Sequence, residues 1–145
     1  MPKHFFVRDI IEERKPLAAT ARRAGWIGCN IRLDRVPQSG KIFFVRDGQA
    51  LPKETVLDKW RQTLFLRNES TEGRGWLLEV MKSVDTLGKS EFDLDEVYAS
   101  EQRLRQVYPS NKNIKPKIRQ QLQVLRDNGY LESVSRGRYR LSASR

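Results

Sequence analysis

The chain has 145 residues, is 38% hydrophobic and 32% charged, and carries a formal net charge of +10. That suffices for one ordinary domain, or a small domain with part of a second, and it excludes an intrinsically disordered chain. A single cysteine, Cys29, excludes an internal disulfide framework, and no apolar run approaches the roughly 18–20 residues that a membrane span needs.

An excess of one sign of charge destabilises a compact fold through self-repulsion, and the usual reason to tolerate it is a polyanionic partner. The first residues, MPKHFFVRDIIEERKPL, lack the apolar stretch and small-residue cleavage site of a secretory signal, so a cytoplasmic, membrane-free protein is expected. His4, the only histidine, reads as a surface residue.

The first half gives mixed signals. WIGCNIRL and KIFFV are short, β-branched and aromatic, which predicts two strands, with Cys29 a small buried hydrophobe in the first. DRVPQSG and RDGQ are turns. PKETVLDKWRQTLFL predicts a helix opened by Pro52, with Val56, Trp60 and Leu64 on one buried face. RNESTEGRG, residues 67–75, has the composition of a linker.

The second half is more regular. Trp76, Leu77, Val80, Met81 and Val84 form one apolar helical face that ends near Gly88. A second helix is expected from Asp93, an N-cap with Glu96 three residues on, to Pro109, burying Leu94, Val97, Leu104, Val107 and Tyr108. A third starts near Asn113, where Pro116 is tolerated only in the first turn, and ends before Gly129. Its inner face is Ile114, Ile118, Leu122 and Leu125. YLESV and RYRL around a glycine turn predict a hairpin with Leu131, Val134, Tyr139 and Leu141 inward.

Three helices followed by a hairpin is the order of a winged helix, in which the third helix enters the major groove of DNA and the hairpin lies on the backbone or in the minor groove. Charge follows that docking. Residues 112–145 hold nine cations, the last of them Arg145, against Asp127 and Glu132, whereas residues 90–101 hold five acids and no base. The expected duplex-DNA contacts are Lys112, Asn113, Lys115, Lys117, Arg119, Gln120 and Gln123 on the third helix, with Arg136, Arg138 and Arg140 on the wing. Lysines at a helix N-terminus suit phosphate, arginine suits guanine, and glutamine suits adenine. A stand-alone winged-helix transcriptional regulator fits the same features, and a dimer on a palindromic site would favour it.

The segments ARRAGWIGCNIRLDRVPQSGKIFFV and FDLDEVYASEQRLRQVYPSNKNIKPKIRQQLQVLRDNGYLESVSRGRYRL, with RGWLLEV between them, resemble the carboxy-terminal portion of the Dam-replacing, DpnI-type restriction endonucleases. The resemblance covers nearly the whole chain. It implies an α+β protein in which residues 1–70 are the end of a PD-(D/E)xK nuclease α/β domain, with two or three strands and a helix, and residues 71–145 a winged helix. It further implies binding to GATC sites carrying N6-methyladenine, and the chain is expected to act as a monomer. Trp26, with Arg22 and Arg23 ahead of it, is the implied contact to the methylated base, against the plainer reading that Trp26 packs the junction between the halves.

The complete enzymes are implied to use a divalent metal, magnesium first. Here no credible set of an aspartate with an acid-x-lysine triplet is found for that site: the triplet Glu13-Arg14-Lys15 is not spaced as the set needs, and LDKW and VMKSV fall on expected helices. The chain is therefore expected to resemble a truncated relative, without catalytic residues, without a cofactor of its own, and inactive alone. The upstream cysteine cluster of the family also has no counterpart, since Cys29 stands alone.

Overall fold

The computed structural model describes residues 1–142; Arg145 lies outside the described residues. The fold is α+β, with two small antiparallel ladders and a helix in the first half and a winged helix in the second.

In the first half, β1 (Ile11–Glu13) pairs with β2 (Cys29–Ile31) in register Ile11 to Ile31, joined by a long loop. WIGCNIRL thus contributes three strand residues, and its partner comes from a segment that had carried no strand signal. The ladder has two strands and neither face is covered, so Cys29 is exposed and not buried as expected. KIFFV contributes little more: β3 (Val45–Arg46) pairs with β4 (Gln49–Ala50). Asp47 and Gly48 have φ of 51° and 77°, as a two-residue hairpin turn of this hand requires.

Helix α1 (Lys53–Arg61) buries none of its residues, and Trp60 is 38% exposed. The expected apolar stripe exists, but it lies on an uncovered side. The chain then takes a 3-10 turn, Leu64–Asn68, that buries Leu66. His4 is buried, contrary to expectation, and its Nε2 lies 2.9 Å from Thr63 Oγ1.

Residues 67–75 are no linker. Ser70 caps α2 (Thr71–Leu87), its hydroxyl accepting from the Gly73 amide at 3.0 Å, and Gly88 closes the helix with φ 64°. The glycines that suggested a loop sit in the first turns of this helix. Gly75 has one close neighbour: a Cβ would meet Tyr108 Oη at 3.1 Å. Tyr108 in turn stacks on Trp76, with centroids 3.9 Å apart.

Next come β5 (Glu91–Asp93), α3 (Leu94–Tyr98), α4 (Glu101–Val107), α5 (Ile114–Asp127), β6 (Leu131–Ser135) and β7 (Arg138–Leu141), the sheet having order β5-β7-β6. The expected single second helix is two, broken at Ala99–Ser100, where the Ser100 hydroxyl donates back to Val97 O at 2.7 Å. Glu96 reaches back to the Asp93 amide at 2.9 Å, the interaction expected of that cap. Arg103 of α4 binds the buried Glu79 carboxylate of α2, and its second nitrogen donates to Ser83 Oγ at 2.8 Å. Val107 and Val134, both expected inside, are 36% and 44% exposed. Val134 falls at a break in the β6–β7 register.

The C-terminus of α5 follows from Gly129, at φ 72°. Its amide donates to Arg126 O and that of Tyr130 to Leu125 O, both at 2.9 Å, which satisfies the last carbonyls and turns the chain into the wing. One hydrophobic cluster runs through the molecule, joining Phe5, Val7, Ile10, Val36 and Leu66 to Trp76, Leu104, Ile118, Leu122 and Tyr139.

Candidate nucleic-acid interface

Helix α5 is amphipathic in the strict sense: Ile114, Ile118, Leu122 and Leu125 are buried, with Gln121 the one polar residue inside. Opposite them, Lys112, Asn113, Lys115, Arg119, Gln120 and Gln123 are exposed. The helix start carries no side-chain cap. Asn113 occupies the N-cap without a side-chain cap bond, and its own amide is taken by Asn111 Oδ1 at 2.8 Å. Pro116 has no amide hydrogen. The Ile114 and Lys115 amides find no acceptor among the described residues. The Lys115 amide, free on an exposed residue at the positive end of a 14-residue helix near Lys112, directs this end towards anions, whereas Ile114 is buried and its amide does not face solvent.

Not every expected cation shares in it. The Lys117 ammonium lies 5.9 Å from the Trp76 ring centroid and is half-buried. Lys115 is 3.7 Å from Glu101 Oε2 and 5.3 Å from the Tyr98 ring. On the wing the sheet register sets Glu91 and Glu132 on either side of Arg140, and Asp93 beside Arg138. Arg138 donates to Glu91 at 2.6 Å and Arg140 to Glu132 at 2.8 Å. The Glu132 carboxylate also raises the Arg140 pKa. These two arginines form a charge ladder within the sheet. Charge alone pointed to them, but their partners lie too far off in sequence, or across a hairpin, to be read from it.

Arg136 is different. It sits at the turn with Gly137, at φ 77°, and has no ion pair among the described residues. The Gly137 carbonyl accepts from the Leu94 amide at 2.8 Å, which ties the wing tip to the start of α3. Arg119 and Arg136 line one cleft of about 550 Å³ with Asp93, Asp95 and Glu96. Sequence reading missed this acidic wall as part of the site, although the run of acids was visible. Glu96 is occupied by Lys89, whose ammonium, with the Asp93 amide, holds its carboxyl below the usual range. Asp95 has no partner among the described residues.

The loop between β1 and β2 is the second candidate. Its backbone is ordered by Arg14 N to Gly28 O (2.9 Å), Leu17 N to Trp26 O (3.0 Å) and Trp26 N to Arg23 O (3.1 Å). Residues 14–33 contain no acid. Arg22, Arg23 and Trp26 are exposed, Trp26 by 56%, so it does not pack a junction between the halves. Its ring lies over Gly28, where a Cβ would come within 3.2 Å. No hydrogen bond, ion pair or ring contact joins this loop to α5 or the wing among the described residues.

Residues 72–141 match the model of the Dam-replacing HTH domain, and residues 1–69 that of the Dam-replacing family. The chain belongs to the Dam-replacing family. In this Dam-replacing protein α3, α4 and α5 make up the helix-turn-helix, with the β6–β7 hairpin as its wing. No three His, Cys, Asp or Glu side chains converge among the described residues. No described helix is long and apolar enough to cross a membrane.

Proposed function

We propose that this chain binds double-stranded DNA as the reading module of a type II restriction endonuclease directed to GATC sites carrying N6-methyladenine. The observation that carries the reading is the start of α5: the unpaired amide of the exposed Lys115 near Lys112, with Arg119 and Arg136 free of ion pairs among the described residues in the adjoining cleft. Such a surface takes a phosphate at the helix start and leaves Arg119, Gln120 and Gln123 to meet base edges. Arg119 would donate to guanine, and Gln120 or Gln123 would pair with adenine. Arg138 and Arg140 serve to hold the wing's shape, and Lys115 and Lys117 contribute less than their charge suggests, since each faces a partner on the protein.

The β1–β2 loop is the second contact in this reading. Its acid-free run with an exposed tryptophan combines phosphate attraction with a flat apolar surface that suits a methylated base. Trp26 is the proposed methyl-adenine contact, flanked by Arg22 and Arg23. The chain acts as a monomer and carries no cleavage activity of its own.

Titration of the whole chain with GATC duplexes, adenine-methylated and unmethylated, tests this. Tighter binding of the methylated duplex is expected, and Trp26→Ala should narrow the difference. Equal affinity would leave a generic DNA binder, and absence of binding at low salt would end the proposal. Incubation of plasmid with magnesium or manganese should leave it uncut.

A further inference from the structure

At the opposite end of the winged sheet from the wing tip, where β5 begins and β7 ends, a cavity of about 450 Å³ opens between the two halves of the chain. That size is within the range of small-molecule sites. We propose that it binds a small phosphate monoester with an apolar body, of about mononucleotide size. This is a site distinct from the DNA-reading surface, and it does not depend on the function proposed above.

The lining is cationic. Lys41, Lys59 and Lys89 contribute to it, and Asp85 is its one acid. Asp85 is already engaged by the Gln38 amide at 2.8 Å, and Lys89 by Glu96 outside the cavity. Lys41 and Lys59, from the loop before β3 and from α1, have no ion pair among the described residues. The lining also holds polar groups without a partner among the described residues: Ser39 Oγ is buried with none, and the Gln62 amide and Ser90 hydroxyl make no side-chain hydrogen bond. Separate point donors arranged around a space suit the three oxygens of a phosphate monoester better than a planar carboxylate, which calls for an arginine fork.

The opposing field is weaker. Helix α2 ends at Gly88 on the cavity wall, and its C-terminus brings about half a negative charge, against two whole ammonium charges. The remaining wall is apolar, formed by Ile42, Val84 and Leu141, which gives the body of the ligand a dry surface. Because Lys41 and Lys59 belong to the first half and Val84, Ser90 and Leu141 to the second, an occupant would bridge the two.

The test is calorimetric titration of the whole chain at low salt with deoxyadenosine monophosphate, with deoxyadenosine and inorganic phosphate as controls. The monophosphate should bind, the neutral nucleoside should not, and inorganic phosphate should bind more weakly than the monophosphate. Replacing both lysines that lack an ion pair, Lys41→Ala with Lys59→Ala, should weaken the monophosphate by at least about tenfold, the loss expected for two charge-assisted bonds. Ser39→Ala should weaken it by a smaller factor, and an unchanged unfolding midpoint shows that the variants are folded. No binding at millimolar monophosphate would overturn the proposal. So would equal affinity in the double-lysine variant, which means an adventitious ion only. So would displacement of the monophosphate by a short duplex, which makes the lysines part of the DNA surface. Failure of the chain to bind DNA leaves this result untouched.

Discussion

Arg138 Nε donates to Glu91 Oε1 at 2.6 Å across the β5–β7 ladder, and Arg136, two residues earlier at the turn, has no such partner among the described residues. The two arginines are nearly adjacent in sequence and opposite in availability. A phosphate contact made by Arg136 releases counterions; one by Arg138 must first break an ion pair. Arg136→Ala should reduce the slope of log affinity against log salt by about one. Arg138→Ala should leave that slope nearly unchanged and cost at most about 1 kcal/mol of stability, as is usual for an exposed pair. Affinities measured across a salt series separate the two.

Asp95 shares its cleft with Arg119 and Arg136 and has no partner of its own among the described residues. A duplex drawn in by those arginines brings phosphates towards an uncompensated carboxylate. Asp95→Asn should therefore tighten binding of methylated and unmethylated duplexes alike by about three- to tenfold at low salt, the gain shrinking as salt screens it. A loss of affinity in this variant would instead make Asp95 a base contact.

His4 gives the fold a dependence on pH. Burial, then the nearby Arg67 and Arg74 charges, lower its pKa from the ordinary value of 6.5. The Thr63 hydroxyl donates to Trp60 O at 3.0 Å, so it accepts from the His4 Nε2–H, which suits the neutral ring. The unfolded chain thus takes up this proton at higher pH than the folded one. The stabilisation is complete above pH 6.5 and is lost as pH falls below it, by up to about 1.4 kcal/mol per pH unit. Urea midpoints between pH 7.5 and 5 should show this slope, and His4→Gln should flatten it.

Two glycines make a contrasting pair. A Cβ on Gly40 would fall 2.7 Å from both Phe5 Cδ1 and Val36 Cγ1, inside the shared core. Gly40→Ala should cost about 1–3 kcal/mol, as overpacking does. On Gly75 the added carbon meets only Tyr108 Oη, at 3.1 Å, and the helix gains about 1 kcal/mol of propensity. Gly75→Ala should stay within about 1 kcal/mol of the parent. Thermal unfolding of both variants checks the pair.

The winged helix was legible because its signals are local and redundant. The stripe from Ile114 to Leu125, Pro116 in the first turn and Gly129 at the end each fix α5 independently. The three residues of β5 are too few to alternate, and the break between α3 and α4 has no glycine or proline to mark it. In the first half the strands are two or three residues long with no covered face, and α1 buries none of its residues, so hydrophobic pattern and burial part company, as Cys29 and Trp60 show. Gly73 and Gly75 read as a linker because the hydroxyl that Gly75 faces comes from Tyr108, much later in the chain. Charge could be counted in the sequence but its cancellation could not: Glu91 meets Arg138 across 47 positions, and His4 meets Thr63 across 59.

Phe5, Ile10, Val36 and Leu66 lie in the same apolar cluster as the inner side of α5. Grip on the duplex is thereby coupled to the earliest part of the chain: whatever steadies Ile118 and Leu122 also slows the opening that would release Phe5. Amide hydrogens near residue 10 and those in the middle of α5 should then exchange through one shared event, and a bound oligonucleotide should slow both.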